Sequence, residues 1–307
     1  MKERILVTIG DPAGCGPSVT LKAISDFKKR ASLFVVGDKV VLERYRIFKR
    51  ISKKIELIDI RTPGIKNLRL GYPSCLGGKA SLNYIKIALK IMKEEKISKL
   101  VTAPVSKEAI QLNFKTFSGH TEFLADYFKV KNVVMMMVEG DFKVVLSTRH
   151  IPLREVPFCL TKKVIRNTIK LTYKALKDTF NITHPKIAIT GINPHAGINT
   201  FLGKEEKLIK EVVRTLNFKI NGPYPSDTLF LLENLKKYDC IIAGYHDQAM
   251  IPFKLLFFKK GVNITLGLPI IRTSPVHGTA FDIIKKKGIP LHFSMLSAIS
   301  LIEKLSL

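Results

Sequence analysis

Short β-branched runs alternate with amphipathic stretches along this chain, and that alternation restricts it to few folds. RILVTIG leads into the turn GDPAGCGP, with Pro17 suited to the first turn of the helix that follows. SLFVVGD precedes the helical stretch KVVLERYRIFKR, and a Pro/Gly-rich segment from Thr62 to Gly78 precedes an amphipathic helix over roughly Lys79 to Glu95. KLVTAPV reads as a buried strand feeding the short helix SKEAIQL. NVVMMMV and FKVVLST, separated by Glu139-Gly140-Asp141, read as a β-hairpin. TKKVIRNTIKLTYKALKD then precedes KIAITGI, KEEKLIKEVVRTL precedes FKING, and a helix led by Ser226-Asp227 precedes DCIIAGY. The pattern predicts an α/β fold: a largely parallel sheet with helices on both faces, and some antiparallel pairing at the hairpin. A chain of 307 residues has room for two lobes. With no internal repeat and no long linker, the second lobe is expected as an insertion into the first. The expected boundaries are 1–130 plus 265–307 for one lobe and 131–264 for the other.

Composition excludes several classes. The longest apolar runs, such as VVMMMV, are core-strand length and far short of a membrane span. MKERILVTIG enters a strand and turn directly, without the pattern of a signal segment. The cysteines Cys15, Cys75, Cys159 and Cys240 form no C-x-x-C pair, which argues against a zinc ribbon or a disulfide framework. A reducing cytoplasm is the expected setting. The charge is unusual: 51 Lys and Arg against 25 Asp and Glu give +26, enough to attract polyanions non-specifically. The basic residues are nevertheless dispersed, with no basic arm and no aromatic-interleaved stripe, so no specific nucleic-acid partner is expected.

Three histidines each follow an apolar run: His150 after KVVLSTR, His195 after IAITGINP and His246 after CIIAGY. Side chains just past the carboxyl ends of parallel strands line the ligand crevice of an open α/β sheet. Three imidazoles on one rim can hold a divalent metal and leave positions open for substrate. A lone histidine there is ordinarily a hydrogen-bonded loop residue; three in the same context favour the metal. His184 precedes its strand and is read as structural, as is His292.

Other segments carry weaker signals. The opening turn places Gly10, Asp11, Gly14 and Gly16 between a strand and a helix, where close ligand approach is possible. Its spacing is neither G-x-G-x-x-G nor a P-loop, so a plain turn is an equal reading. Ser118-Gly119-His120-Thr121-Glu122 resembles a helix start, with Ser118 or Thr121 as cap and with His120 and Thr121 able to donate to a carboxylate or phosphate. Lys254, Asn263 and Arg272 surround the polar-studded stretch GVNITLGLPIIRTS and suit a phosphorylated hydroxy acid. The plain alternative for such residues is a solvated surface.

Taken in order, GDPAGCGP, TAPVSKEAI, SGHTEF, STRHIPL, GINPHAG, GPYPSDTLF, GYHDQ, GVNITLGLPIIRTS and HGTAFDI are specific as a set. The chain resembles the 4-hydroxythreonine-4-phosphate dehydrogenase family of pyridoxal phosphate biosynthesis, over most of its length. The family is distantly similar to isocitrate and isopropylmalate dehydrogenases. The resemblance implies a two-lobed α/β/α, isopropylmalate-dehydrogenase-like fold with the active site in the cleft between lobes.

It also implies a reaction. NAD or NADP would oxidise 4-phosphooxy-L-threonine to 2-amino-3-oxo-4-phosphooxybutanoate, which loses carbon dioxide to give 3-amino-2-oxopropyl phosphate. It implies that His150, His195 and His246 bind zinc, magnesium or cobalt in a site shared across a homodimer. It further implies substrate contacts from His120, Thr121, Lys254, Asn263 and Arg272. The isocitrate dehydrogenase-like segment points to His277, Gly278, Thr279 and Asp282 on the cofactor side, with Gly10, Asp11 and Gly14. Asp227 and Asp247 match acidic positions of the motifs and are the candidates for proton relay. The chain departs from the family at Cys15, at Pro275-Val276, in IKKKGIP and in LLFFKK, which leaves NAD against NADP open. Rival readings are a dehydrogenase of another phosphorylated hydroxy acid, such as a four-carbon sugar-acid phosphate, and a phosphate acyltransferase on a related fold.

Overall fold

The computed structural model describes residues 3–28, 31–197 and 203–307. Eleven strands among them join in one sheet. They are β1 (Arg4–Thr8), β2 (Ser32–Gly37), β3 (Ile55–Asp59), β4 (Lys99–Thr102), β5 (Val134–Glu139) and β6 (Phe142–Leu146). The remainder are β7 (Ile187–Thr190), β8 (Ile220–Tyr224), β9 (Cys240–Ala243), β10 (Val262–Leu266) and β11 (Ile271–Pro275). Their spatial order is β3-β2-β1-β4-β11-β10-β5-β6-β9-β7-β8.

Pairing is parallel from β3 through β11 and again from β6 through β8. The central stretch β11-β10-β5-β6 is antiparallel. The expected mixed, largely parallel α/β sheet is therefore present, and the hairpin lies where the Glu139-Gly140 turn puts it. Residues 1–130 with 271–275 supply the β3 to β11 side, and residues 134–266 supply the β10 to β8 side. Strands inside the sheet are buried on both faces: Ile5, Leu6 and Val7 of β1 and Ile241 and Ile242 of β9 are shut away from water. That explains why the sequence shows continuous apolar runs there instead of alternation.

Helices cover the sheet, and some open on polar side-chain caps. Ser74 accepts from the Gly77 amide at 3.1 Å to open the Cys75–Glu94 helix, and Ser106 accepts from Ala109 at 3.0 Å to open Lys107–Gln111. One expectation needs correction. KVVLERYRIFKR is not one helix but two short ones, Lys39–Leu42 and Ile47–Ile51. Between them the backbone tightens into i→i−3 bonds, Arg44 N to Val41 O and Tyr45 N to Leu42 O, while the Arg44 guanidinium donates to the carbonyls of Ile65, Lys66 and Leu68. The polar-studded stretch GVNITLGLPIIRTS takes regular form. It forms β10 and β11, turned at Gly267, whose φ of 91° suits glycine. Among the described residues no helix is long and apolar enough to cross a membrane.

Candidate active site

The strand order puts β6, β9 and β7 side by side, running in the same direction. His150 follows β6, His246 follows β9 and His195 follows β7, so all three stand at the carboxyl rim of adjacent strands. The rings of His150 and His246 lie with centroids 5.4 Å apart. They border a cavity of about 360 Å³ whose lining also includes Thr148, Arg149, Tyr245 and Asp247. Asp247 Oδ1 lies 2.7 Å from Nδ1 of His246, the arrangement in which a carboxylate fixes an imidazole and leaves Nε2 outward. Burial holds His150 below the usual histidine pKa, and the nearby His246, Lys107 and Arg149 add to the effect against Glu122. Neutral imidazole is the form that binds a metal.

His195 is exposed, and its backbone is left-handed at φ 54°, as is that of His150 at φ 42°. Non-glycine residues with positive φ are uncommon and gather at functional sites. Among the described residues no three His, Cys, Asp or Glu side chains of one chain gather closely enough to hold a metal ion. The donor chemistry suits a divalent cation nonetheless: two adjoining imidazoles, one oriented by a carboxylate and one held neutral.

Arg272 is not a solvated surface residue. It is 3 % exposed on β11, where its Nε and Nη2 donate to Thr102 Oγ1 at 3.0 and 2.6 Å. Its Nη1 donates to Thr265 Oγ1 at 3.2 Å. Burial lowers its guanidinium to about 10, opposed by Glu122, so the charge persists at neutral pH. Asn263 sits two residues before Thr265 and therefore shares its face of the sheet. His120 is held well below the usual range by burial and by the Arg272 charge, so its ring is neutral.

Three buried polar atoms converge on this region without a partner in the structure: His120 Nε2, Asn263 Oδ1 and Arg149 Nη1. Buried polar atoms are ordinarily satisfied, so such orphans point to a polar ligand. Glu122 lies 3.7 Å from Arg149 and acts electrostatically on both Arg272 and His150, which ties the β11 face to the histidine rim. Thr121 is buried in the first turn of the His120–Tyr127 helix. The expected cap from Ser118 or Thr121 is absent; Gly119, with φ 147°, opens that helix through its backbone. Lys254 is exposed on the His246–Phe257 helix. Arg149 was not singled out by sequence, although it stands beside His150.

The two segments assigned to the cofactor side do meet. The Cys15 amide donates to Thr279 O at 2.8 Å, and a Cβ on Gly14 would crowd the same carbonyl. Cys15 Sγ lies 3.3 Å from Gly278 O, with its thiol pushed up to about 12 by burial. Gly10 has φ 71°, and a side chain there would overlap the Pro104 carbonyl. Asp11 is fully buried, accepts from the Ala13 amide at 2.9 Å, and has Oδ2 unpartnered. Burial raises it to about 6. His277 Nε2 is also buried without a partner, whereas Asp282 is exposed. Asp227 is exposed too, and its Oδ1 accepts from the adjacent Thr228 amide at 2.9 Å.

The family model described as "Pyridoxal phosphate biosynthetic protein PdxA" matches residues 17–302. The chain belongs to the PdxA family. Its relatives of this family include a 4-hydroxythreonine-4-phosphate dehydrogenase from Ruegeria sp. (strain TM1040), 38% identical over 98% of this chain and 96% of the relative. A protein of Oceanobacillus iheyensis, provisionally named a D-threonate 4-phosphate dehydrogenase, is 37% identical over 97% of this chain and 96% of its own. The crystal structure of a 4-hydroxythreonine-4-phosphate dehydrogenase from Burkholderia phymatum superposes with a TM-score of 0.82 at 33% identity. It covers 100% of this chain and 99% of that one. The PdxA likeness thus spans both sides of the sheet and every segment that lines the rim.

Proposed function

We propose that this chain is a dehydrogenase of pyridoxal phosphate biosynthesis that oxidises the hydroxyl of 4-hydroxythreonine 4-phosphate. The observation that carries the reading is the set of orphaned buried atoms on His120, Asn263 and Arg149 around the Arg272 charge, next to the His150–His246 pair. A substrate bearing a phosphate, a carboxylate and a hydroxyl offers a partner to each. Arg272, fixed by two threonines, supplies a charge that does not reorganise on binding, with Lys254 as a second, movable one. His120, Thr121 and Asn263 fix orientation through neutral hydrogen bonds. The hydroxyl loses its proton while the hydride on the same carbon passes to a nicotinamide, NAD or NADP, giving a ketone.

His150, His195 and His246 would hold a divalent metal such as zinc, magnesium or cobalt, which when bound supplies Lewis-acid charge at the oxidised hydroxyl. Asp247, which adjoins His246 and borders the same cavity, stands ahead of Asp227, whose carboxylate accepts from the Thr228 amide, as the group that takes the proton. Gly10, Asp11, Gly14, His277, Gly278, Thr279 and Asp282 form the cofactor side, supported by the contact between their two segments. The lobes at 1–130 plus 265–307 and at 131–264 would enclose the site, with the protein acting as a cytoplasmic homodimer that shares each metal.

The Oceanobacillus relative supports a second reading, in which the substrate is a four-carbon sugar-acid phosphate. The test is NADH formation from NAD and a divalent metal with each substrate, with and without chelator. Chelator-sensitive turnover with higher kcat/KM for 4-hydroxythreonine 4-phosphate is expected. Higher kcat/KM for the sugar-acid phosphate would transfer the assignment to the second reading. Turnover indifferent to chelator would remove the metal from the reaction.

A further inference from the structure

His195 stands on a loop that would not hold its shape unaided. His195 and Ala196 are consecutive non-glycine residues in the left-handed region, at φ 54° and 52°. Such pairs persist only where the surroundings over-determine them. Two buried side chains do so here. Glu206 is 2 % exposed, and its Oε1 accepts from the amides of Ile192 at 2.7 Å and Asn193 at 2.8 Å. Its Oε2 accepts from Asn193 Nδ2 at 3.0 Å. The loop is wrapped tightly around this carboxylate: a Cβ on Gly191 would lie 3.1 Å from Oε1, and one on Gly197 would lie 3.0 Å from Oε2.

The second side chain is Gln248, two residues beyond His246 in the first turn of its helix. Its Oε1 accepts from the Gly244 amide at 2.7 Å and from Thr190 Oγ1 at 2.8 Å, while Nε2 donates to Gly191 O at 2.8 Å. Gly244 lies two residues before His246, and Gly191 begins the loop that carries His195. A single amide group therefore fastens the exit of β9 to the exit of β7. Glutamine is the residue this position needs, because one oxygen must accept twice and one nitrogen must donate.

We infer that Gln248 and Glu206 are positioning residues that set His195 relative to His246, making a buried brace behind the metal site. The inference rests on the reading of these histidines as metal ligands. It goes beyond that reading in assigning the geometry of the site to two residues that touch neither metal nor substrate. Partners that orient ligating histidines are typically worth 10- to 100-fold in metal affinity. Gln248→Glu keeps the shape but sets a carboxylate oxygen against the Gly191 carbonyl. Glu206→Gln puts an NH2 where an acceptor served an N–H.

The test uses the full-length protein stripped of metal and titrated with Co2+ alone, followed by its visible absorption, with a circular dichroism melt alongside. Gln248→Glu and Glu206→Gln are expected to weaken Co2+ binding by about 10- to 100-fold and to change the absorption bands. Thr190→Val, which removes one donor to Gln248 without adding charge, is expected to weaken binding less, and it decides the matter if the other variants do not fold. Folded variants that bind Co2+ with the affinity and spectrum of the parent overturn the brace, even with a lowered melting temperature. His195→Ala is the control for the underlying reading. Parent-like Co2+ affinity in His195→Ala overturns the metal assignment itself, whereas weakened binding there with parent-like brace variants overturns only the brace.

Discussion

Asp11 lies in the GDPAG turn with its carboxyl shut away from water and its pKa raised from 3.8 to about 6. Desolvation by burial is the main cause, opposed by hydrogen bonds from the Ala13 and Ser106 amides. A carboxyl whose pKa is higher folded than unfolded contributes stability below the unfolded value, and loses it as pH rises through the folded one. Ionised Asp11 therefore burdens the fold above about pH 6, by ~3 kcal/mol for a shift of this size. Asp11→Asn is expected to gain melting temperature relative to the parent near pH 8 and not near pH 4. A difference that stays flat between those two conditions contradicts the burial argument. Arg272 makes a second prediction at this scale. Lysine keeps the charge but cannot span Thr102 and Thr265 as the planar fork does. Arg272→Lys is expected to raise KM for the phosphorylated substrate by roughly ten- to a hundred-fold, the worth of a charged hydrogen-bond pair, with little change in KM for NAD. The reverse split would move Arg272 to the cofactor side. The sequence marked Arg272 as a candidate, but its burial was illegible, because a lone arginine gives no sign of which way it points.

Among the elements, legibility followed length and periodicity. The runs before His150, His195 and His246 are continuous and β-branched, so their strands and the histidines just past them could be read directly. β10 and β11 were illegible as strands. Thr265, Arg272, Thr273 and Ser274 interrupt the apolar run; all are buried, Arg272 against Thr265 on one face and Thr273 on the other, where it donates to Ala298 O. Gln248 and Glu206 carried no signal either, since most of their partners are backbone groups, within residues 190–193 and at Gly244. Helix packing gives a prediction at this scale. Gly78 of the Cys75–Glu94 helix faces the Lys107–Gln111 helix so closely that a Cβ would overlap the Ala109 carbonyl. Gly78→Ala is a gain in intrinsic helix propensity of about 1 kcal/mol. Overpacking costs ~3 kcal/mol at a backbone contact that cannot yield, and it should win. A lower melting temperature is expected; an unchanged or higher one would show that the two helices can part freely.

At the scale of the molecule, adjacent strands bring three histidines to one rim, yet among the described residues one chain gathers no three ligating groups. The helix that begins at His246 carries an apolar outer face, with Ile251, Leu255 and Phe258 at its far end and Leu255 83 % exposed. An exposed apolar face of this kind suits the homodimer proposed above. A metal that bridges two chains must be linked to their association: whatever the metal adds to dimer affinity, dimerisation adds to metal affinity. Chelation is therefore expected to raise the dimer dissociation constant by about ten-fold or more, within the usual range of such couplings. Sedimentation equilibrium with and without chelator measures it directly. His150→Ala should mimic the chelated parent and show no further response to chelator. A dissociation constant that ignores the metal would place all its ligands within one chain, and the rim would then have to close by moving the His195 loop toward His150 and His246.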